Sequence, residues 1–439
     1  MPYALGVICY GWHEAAAVLV RDGEVIAAAE EERFSRQKFD PNFPEQAIAF
    51  CLNHAGISSR DLSAIGYGFD PRRRLGSKAL HLVRYFPASM QLVTKRGKLL
   101  QRMNQIEGEL RDRLDFTGKI YRLNHHLCHA ASTFFASPFD RAAILTLDGA
   151  GDWESCWWGV GENASIEQFN AIDWPQSLGH LYAAFTEYLG FKPFSDEYKV
   201  MGLAPYGEAK YGDRFADILY PTPTGYHLNL DYFQFQTGHF PRYGSKLIET
   251  FGQPLHDSGN EIPTHYCNVA ASLQAQLETV IFHMARLATE KADSRNLCLA
   301  GGVAMNSVAN GKIVAKGLVD RLYIPPCASD AGVALGAAYL AHLYSMEHLK
   351  RHPVQSAQLG PEYGDEAISS AIQNAGLQAE AIDEPAKVAA GLIATGKVIG
   401  WFQGRMEFGP RALGHRSILA DPRGREVQRR VNVQIKFRE

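Results

Sequence analysis

The segment Leu123-Asn-His-His-Leu-Cys-His-Ala-Ala-Ser132 carries two histidines, His125 and His129, four positions apart. On a helix four residues make about one turn, so both imidazoles leave one face and can grip one metal ion, as H-x-x-x-H helices do. Two carboxylates stand where they could complete such a site. Ala142-Ala-Ile-Leu-Thr-Leu-Asp148 ends an apolar run on Asp148. Cys327-Ala-Ser-Asp330 puts Asp330 at the mouth of a helix, where it could equally serve as a cap. The four side chains together predict a metal site beside a nucleotide, with the rest of the chain as the scaffold that brings them together.

Other residues suit anions. Asn296-Leu-Cys-Leu-Ala-Gly-Gly-Val-Ala-Met-Asn306 reads as a strand entering a Gly301-Gly302 turn and then a helix. Glycine there permits close backbone approach, and the helix N-terminus offers N–H groups to a phosphate or adenosine. Lys199 precedes a Gly/Pro loop and is either a phosphate contact or a surface lysine. The turn Tyr10-Gly-Trp-His13 could aim backbone N–H groups at an anion. Between Gln403 and Leu419, Arg405, Arg411, His415 and Arg416 crowd around glycines. That density of donors in a turn suits a small multivalent anion better than a duplex. The seven cysteines include no C-x-x-C pair and read as buried thiols in a reduced, cytoplasmic setting.

The elements that must position these residues alternate in type. With 439 residues and 46% hydrophobic composition, the chain predicts two or three domains with real cores. Its 44 basic and 47 acidic residues leave a formal charge of −3, which disfavours non-specific nucleic-acid binding. No apolar run is long enough to span a bilayer. Ala4–Tyr10, His13–Val20 and Glu24–Glu31 predict three strands, the last two joined by an Arg21-Asp-Gly23 hairpin turn. Pro44–Ala55 predicts a helix, Ser63–Phe69 a strand, and Pro71–Leu114 a long helical insert with many positive charges. Ala142–Asp148, a tight turn Gly149–Asp152 and Ser155–Gly159 then repeat the opening pattern, which suggests two related lobes facing a cleft. Cys267–Glu290 carries an apolar stripe at three- and four-residue steps and predicts a core helix. After Leu343 the chain turns polar, through Arg351 and Pro353, as a linker would. A second unit begins near Gly360.

Five segments in order now resemble one family. They are His125-His-Leu-Cys-His-Ala-Ala-Ser, Leu147-Asp-Gly-Ala-Gly-Asp, Tyr198-Lys-Val-Met-Gly-Leu-Ala-Pro-Tyr-Gly, Ala300-Gly-Gly-Val-Ala-Met-Asn and Phe408-Gly-Pro-Arg-Ala-Leu-Gly-His-Arg-Ser. The chain resembles, nearly end to end, the O-carbamoyltransferase family that includes nodulation-factor and antibiotic carbamoyltransferases. The resemblance implies an α/β fold. Residues 1–345 would form actin/hexokinase-like duplicated lobes, as in tRNA threonylcarbamoyl transferases, and residues 356–439 the start of a YrdC-like α/β domain.

It also implies chemistry. Carbamoyl phosphate and ATP form carbamoyl-adenylate and pyrophosphate, and the carbamoyl group moves to a hydroxyl of a small natural product or sugar. His125, His129, Asp148 and Asp330 match the metal ligands, with Fe2+ the family expectation and Zn2+ or Mn2+ also suited to a mixed N/O set. Gly301, Gly302 and Asn306 match the adenosine-side loop. Arg411, His415, Arg416 and Lys436 match the side chains that hold carbamoyl phosphate. His13 matches a residue facing the acceptor, where it could take the hydroxyl proton or be structural. Family members continue well past Glu439, so a fragment, a homo-oligomer, or a partner supplying the remaining C-terminal part is expected. Two other readings stand beside this one. A threonylcarbamoyl transferase acting on tRNA would need a basic surface, and a non-catalytic nucleotide-binding remnant would have no need of four metal ligands.

Overall fold

Short β-forming runs broken by tight turns build the first sheet. In a computed structural model, which describes residues 2–11, 14–256 and 262–436, these runs become β1 (Tyr3–Ile8), β2 (Ala16–Arg21), β3 (Glu24–Glu30), β4 (Leu62–Tyr67) and β5 (Lys119–Arg122). Their order is β3-β2-β1-β4-β5. The pairs β1/β2 and β2/β3 are antiparallel, and β1/β4 and β4/β5 are parallel. The β2–β3 turn has Asp22 at φ 49 and Gly23 at φ 82, the positive values that a two-residue hairpin loop demands. The helical insert is two helices, Leu75–Arg84 and Met90–Leu114.

The second sheet repeats the first. It contains β6 (Arg141–Gly151), β7 (Glu154–Glu162) and β8 (Ser165–Asp173). A hairpin of β9 (Leu219–Thr222) and β10 (Gly225–Leu228) stands apart, and β11 (Asn296–Ala300) and β12 (Arg321–Tyr323) complete the sheet in the order β12-β11-β6-β7-β8. Pairing senses match strand for strand: β6/β7 and β7/β8 antiparallel, β6/β11 and β11/β12 parallel. The duplicated two-lobed α/β fold is therefore present. The turn expected at Gly149–Asp152 lies elsewhere. Those glycines extend β6 past a register shift between Leu147 and Gly151, and the reversal falls at Asp152 and Trp153, both at positive φ. Strand β8, whose nine positions are all exposed or half-buried, carries too weak an alternation to be read from sequence.

Each lobe ends in a helix that packs on the other lobe's sheet. His125–Phe134 follows β5 but lies against β6, β7 and β11. Ala331–Met346 follows β12 but lies against β1, β2 and β4. Its residues from Ala331 to His342 are buried throughout, as a helix enclosed on all sides requires. The long helix Thr264–Ala292 turns Val269, Leu273, Leu277, Val280 and Met284 into the second-lobe core.

The chain divides into two compact units, Met1–Val354 and Gln355–Glu439. Arg351, read from sequence as part of a polar linker, is instead anchored in the first unit. Its guanidinium donates to the carbonyls of Phe139 at 2.7 Å, Phe134 at 2.8 Å and Ser137 at 2.9 Å. The second unit holds helices Asp365–Asn374 and Pro385–Ala394 and the antiparallel pair β13 (Ile399–Phe402) and β14 (Arg416–Leu419). Among the described residues no helix is long and apolar enough to cross a membrane.

Candidate metal centre

Asn124 starts the histidine helix. Its side chain accepts the N–H of Leu127 at 2.7 Å, satisfying one of the first-turn amides that a helix leaves unpaired. Its own amide donates to Glu154 Oε2 at 2.8 Å, and Glu154, buried, is paired with Arg74 at 2.9 Å. Asp152 fastens the same helix end. Oδ2 accepts the N–H of His125 at 2.9 Å, and Oδ1 accepts the N–H of Asp70 at 2.8 Å. A carboxylate at a helix N-terminus also sits favourably in the helix dipole.

So fixed, the helix turns His125 and His129 to one place. His125 Nε2 lies 3.4 Å from Asp148 Oδ2 and 3.6 Å from Asp330 Oδ1, and His129 Nε2 lies 3.8 Å from Asp330 Oδ1. One ligand atom from each of the four residues falls within 4.8 Å of the others, and all four residues are buried. His126, between them in sequence, turns away and bonds Thr146 Oγ1 at 2.7 Å through Nδ1. Asp330 occupies the cap position of the helix Ala331–Met346, yet its side chain bonds no helix N–H. Glu14 takes the Ala331 N–H instead, at 3.1 Å.

Neighbours shape the cluster closely. Phe69 stacks on the His125 ring with centroids 4.6 Å apart and planes 18° apart. A Cβ at Gly151 would fall 2.0 Å from the same ring, so only glycine fits. Gly302 donates its N–H to Asp148 Oδ1 at 2.9 Å, which leaves Oδ2 for the cluster. Gly301, at φ 95, lets the loop pass β6, where a Cβ would fall 2.2 Å from the Leu147 carbonyl.

The donor set fits a divalent cation. Both ring nitrogens of His125 and of His129 are buried without a hydrogen-bond partner, a costly state for polar atoms unless something binds them. The separations are long for hydrogen bonds but suit ligands that each sit about 2.1 Å from a shared ion. Two buried carboxylates also call for positive charge. The protonation pattern shows the same demand. Burial opposes a charge on His125, but contacts with Asp148 and Asp330 push it up to about 10. Burial and the charge on His125 push His129 down to about 3. Asp148, despite burial, is held well below the usual carboxylate range by His125 and His129.

The other residues singled out from sequence lie apart from this cluster or are engaged. Lys199 pairs with Asp196 at 3.5 Å and lies over the Phe191 ring at 5.5 Å. Asn306 caps the helix Ser307–Ala315 by accepting the Ala309 N–H at 3.0 Å, and its amide bonds Gln274 at 2.9 Å. His13 and the Lys436 side chain lie outside the described residues.

In the second unit the basic loop is organised by an acid that sequence reading passed over. Glu407 is buried and accepts the N–H groups of Leu413 at 2.6 Å and His415 at 2.9 Å, while Arg416 Nε lies 3.1 Å from its other oxygen. Burial would raise this carboxyl, but those amides and Arg416 hold it below its ordinary value. Arg416 also donates to the Gly409 carbonyl at 2.7 Å, and Arg405 to the Gly360 carbonyl at 3.1 Å. His415 touches the Gln358 side chain. Arg411 is exposed.

With the geometry described, comparison with known proteins adds kinship. A family model described as carbamoyltransferase N-terminus matches residues 4–339, and one described as carbamoyltransferase C-terminus matches residues 390–439. An uncharacterised protein of Synechocystis sp. is 39% identical over 100% of this chain and 74% of its own length. The nodulation protein NolNO of Sinorhizobium fredii is 38% identical over 97% of this chain, which spans 61% of that relative. Among solved structures, component A of the Acidaminococcus fermentans (R)-2-hydroxyglutaryl-CoA dehydratase is 14% identical, with a TM-score of 0.44, over 79% of this chain and 100% of its own.

Proposed function

The chain belongs to the carbamoyltransferase family, and from that premise we propose that it takes part in moving a carbamoyl group from carbamoyl phosphate, through carbamoyl-adenylate, to a hydroxyl of a small natural product or sugar. ATP is the proposed nucleotide: water releases phosphate from carbamoyl phosphate, the resulting carbamate displaces pyrophosphate from ATP to form the adenylate, and AMP leaves when the carbamoyl group passes to the hydroxyl. The observation that carries the reading is the convergence of His125, His129, Asp148 and Asp330 within 4.8 Å, all buried.

These four residues would hold a divalent ion, with Fe2+ the first expectation and Zn2+ or Mn2+ compatible with the same donors. When bound, such an ion offsets negative charge on nucleotide phosphate oxygens. The chain's own residues do the rest. Asp152 and Asn124 keep the histidine helix in register. Gly302 orients Asp148 so that one oxygen faces the ion site. The Gly301-Gly302 loop approaches β6 closely and is the proposed adenosine-side contact. In the second unit, Glu407 holds the backbone of Leu413 and His415 in place, and the exposed Arg411, with His415 and Arg416, is the proposed site for carbamoyl phosphate. An acceptor alcohol is a poor nucleophile until it loses its proton, and His13 is the proposed base.

Incubation with ATP, carbamoyl phosphate and ferrous iron tests this. Pyrophosphate release that requires carbamoyl phosphate supports the proposal. Tight nucleotide binding with no such release would defeat it for this chain.

A further inference from the structure

The insert between β4 and β5 is one-sided in charge. Residues 71–106 hold nine Lys and Arg and no Asp or Glu, although the whole chain has a formal charge of −3. Two of these cations are neutralised within the protein. Arg72 pairs with Asp70 at 2.9 Å, and Arg74 with Glu154 at 2.9 Å and Asp173 at 3.6 Å. Arg73, Arg84, Lys95 and Lys98 are exposed, and none of them is paired with an acid among the described residues.

The same insert turns apolar side chains outward. On the helix Leu75–Arg84 and just after it, Leu80, Val83 and Phe86 are 70%, 75% and 70% exposed. Leu75, Met90 and Val93 are exposed as well. Exposed Phe240 is tied to this segment by Lys95, which donates to the Gly238 carbonyl at 2.7 Å and lies over the Phe240 ring at 4.2 Å. The helix Leu75–Arg84 is firmly anchored from within. His81 is buried, bonds the Gln236 carbonyl at 2.7 Å, and packs against Trp153 and Trp174 with ring centroids 5.2 and 4.8 Å away. Single exposed apolar side chains are ordinary, but a row of them on an anchored element marks a contact surface.

Charge and exposure together select the occupant. A second copy laid symmetrically on this face would bring like charges together. A nucleic acid would meet the cations but leave the aliphatic row with nothing to contact. Side chains this exposed stand out from the surface. A protein partner would need a matching pocket for each of them, whereas lipid chains close around them without one. Anionic headgroups can pair with the basic residues while the apolar side chains enter the boundary beneath.

We propose that the face formed by residues 75–93 and Phe240 docks on an anionic lipid surface, holding the chain at a membrane that it does not cross. Sedimentation of the whole chain with vesicles tests this, and needs neither ATP nor carbamoyl phosphate. Vesicles of phosphatidylcholine with about one-third phosphatidylserine should carry the protein down, pure phosphatidylcholine should not, and added salt should release it. Arg73→Gln/Arg84→Gln should weaken binding about 25-fold, since each basic residue near such a surface contributes about fivefold. Leu80→Ser/Val83→Ser should weaken it about tenfold, with circular dichroism unchanged. Leu377→Ser removes an equally exposed apolar side chain from the second unit and should keep wild-type binding. No sedimentation with the anionic vesicles, equal sedimentation with neutral ones, or binding that both double variants retain would overturn the proposal. A dimer that Leu80→Ser/Val83→Ser splits would give the face to a second copy, and polyglutamate bound as tightly as the vesicles would give it to an acidic protein; either result also overturns it.

Discussion

In the first lobe the central strand β1 leads to Tyr10, whose phenol bonds Glu109 beside an open polar cavity. In the second lobe the matching strand β6 carries Asp148, which faces His125 inside a closed cluster. The strand orders and pairing senses of the two lobes are the same. What differs is the residue at the strand's carboxyl end and what the neighbouring helices bring to it. Open α/β sheets place ligands at the carboxyl ends of their strands, and here one such end faces an open polar cavity while the other faces a buried cluster of histidines and carboxylates. The exchange of terminal helices explains the second case. The first lobe's last helix delivers two histidines to β6, and the start of the second lobe's last helix delivers Asp330. Topology supplies the meeting point and side chains decide the chemistry.

The strongest way to break this contrast is to remove a ligand. His125→Ala should lower affinity for Fe2+ or Zn2+ by more than about 100-fold, beyond the usual cost of losing a supporting contact. Equilibrium dialysis with metal analysis checks it, and a chain that still binds one ion as tightly would refute the ligand assignment. Asp152→Asn keeps the shape but weakens the hold on the histidine helix, so metal affinity should fall about 10-fold. The same titration reads it, and an unchanged curve would show that the helix end needs no carboxylate. Gly302→Ala puts a Cβ 3.0 Å from Asp148 Oδ1, so Asp148 must shift by a few tenths of an ångström. A smaller loss of metal affinity, about threefold, is expected, with the fold intact by circular dichroism.

The second unit offers a milder test, through pH. The carboxyl of Glu407 sits below its ordinary value when folded. Its stabilisation is thus fully present above the unfolded carboxylate value and is lost as pH falls through the folded value. Amide exchange at Leu413 and His415, corrected for intrinsic rates, should be slow near neutrality and should quicken in acid. Glu407→Gln should abolish that pH dependence. Phe69→Leu should do least of all, removing a stacking contact worth about 1 kcal/mol, seen as a small drop in melting temperature with metal stoichiometry unchanged.

Much of the architecture was legible because it follows local rules. The Asp22-Gly23 turn, the four-residue spacing of His125 and His129, and the stripe from Val269 to Met284 each announce one element. The position of Asp330 could be read, but not whether it caps its helix or turns away from it. That depends on Glu14, more than three hundred residues earlier, which takes the Ala331 amide. Asp152 was hidden in a glycine-rich run that looked like an ordinary turn. Its partners, the N–H groups of His125 and Asp70, belong to segments that only the fold brings near. Glu407 was masked by the arginines around it, since burial of a single acid leaves no trace in composition. Strand β8 and the anchoring of Arg351 depend on partners distant in sequence and carry no local signature.

X-ray absorption on the iron-loaded chain addresses the convergence of the four side chains most directly. One iron per chain, with nitrogen and oxygen neighbours near about 2.1 Å and no sulfur shell, is the expected result. Sulfur ligation, or an iron site that survives replacement of both His125 and His129, would contradict it.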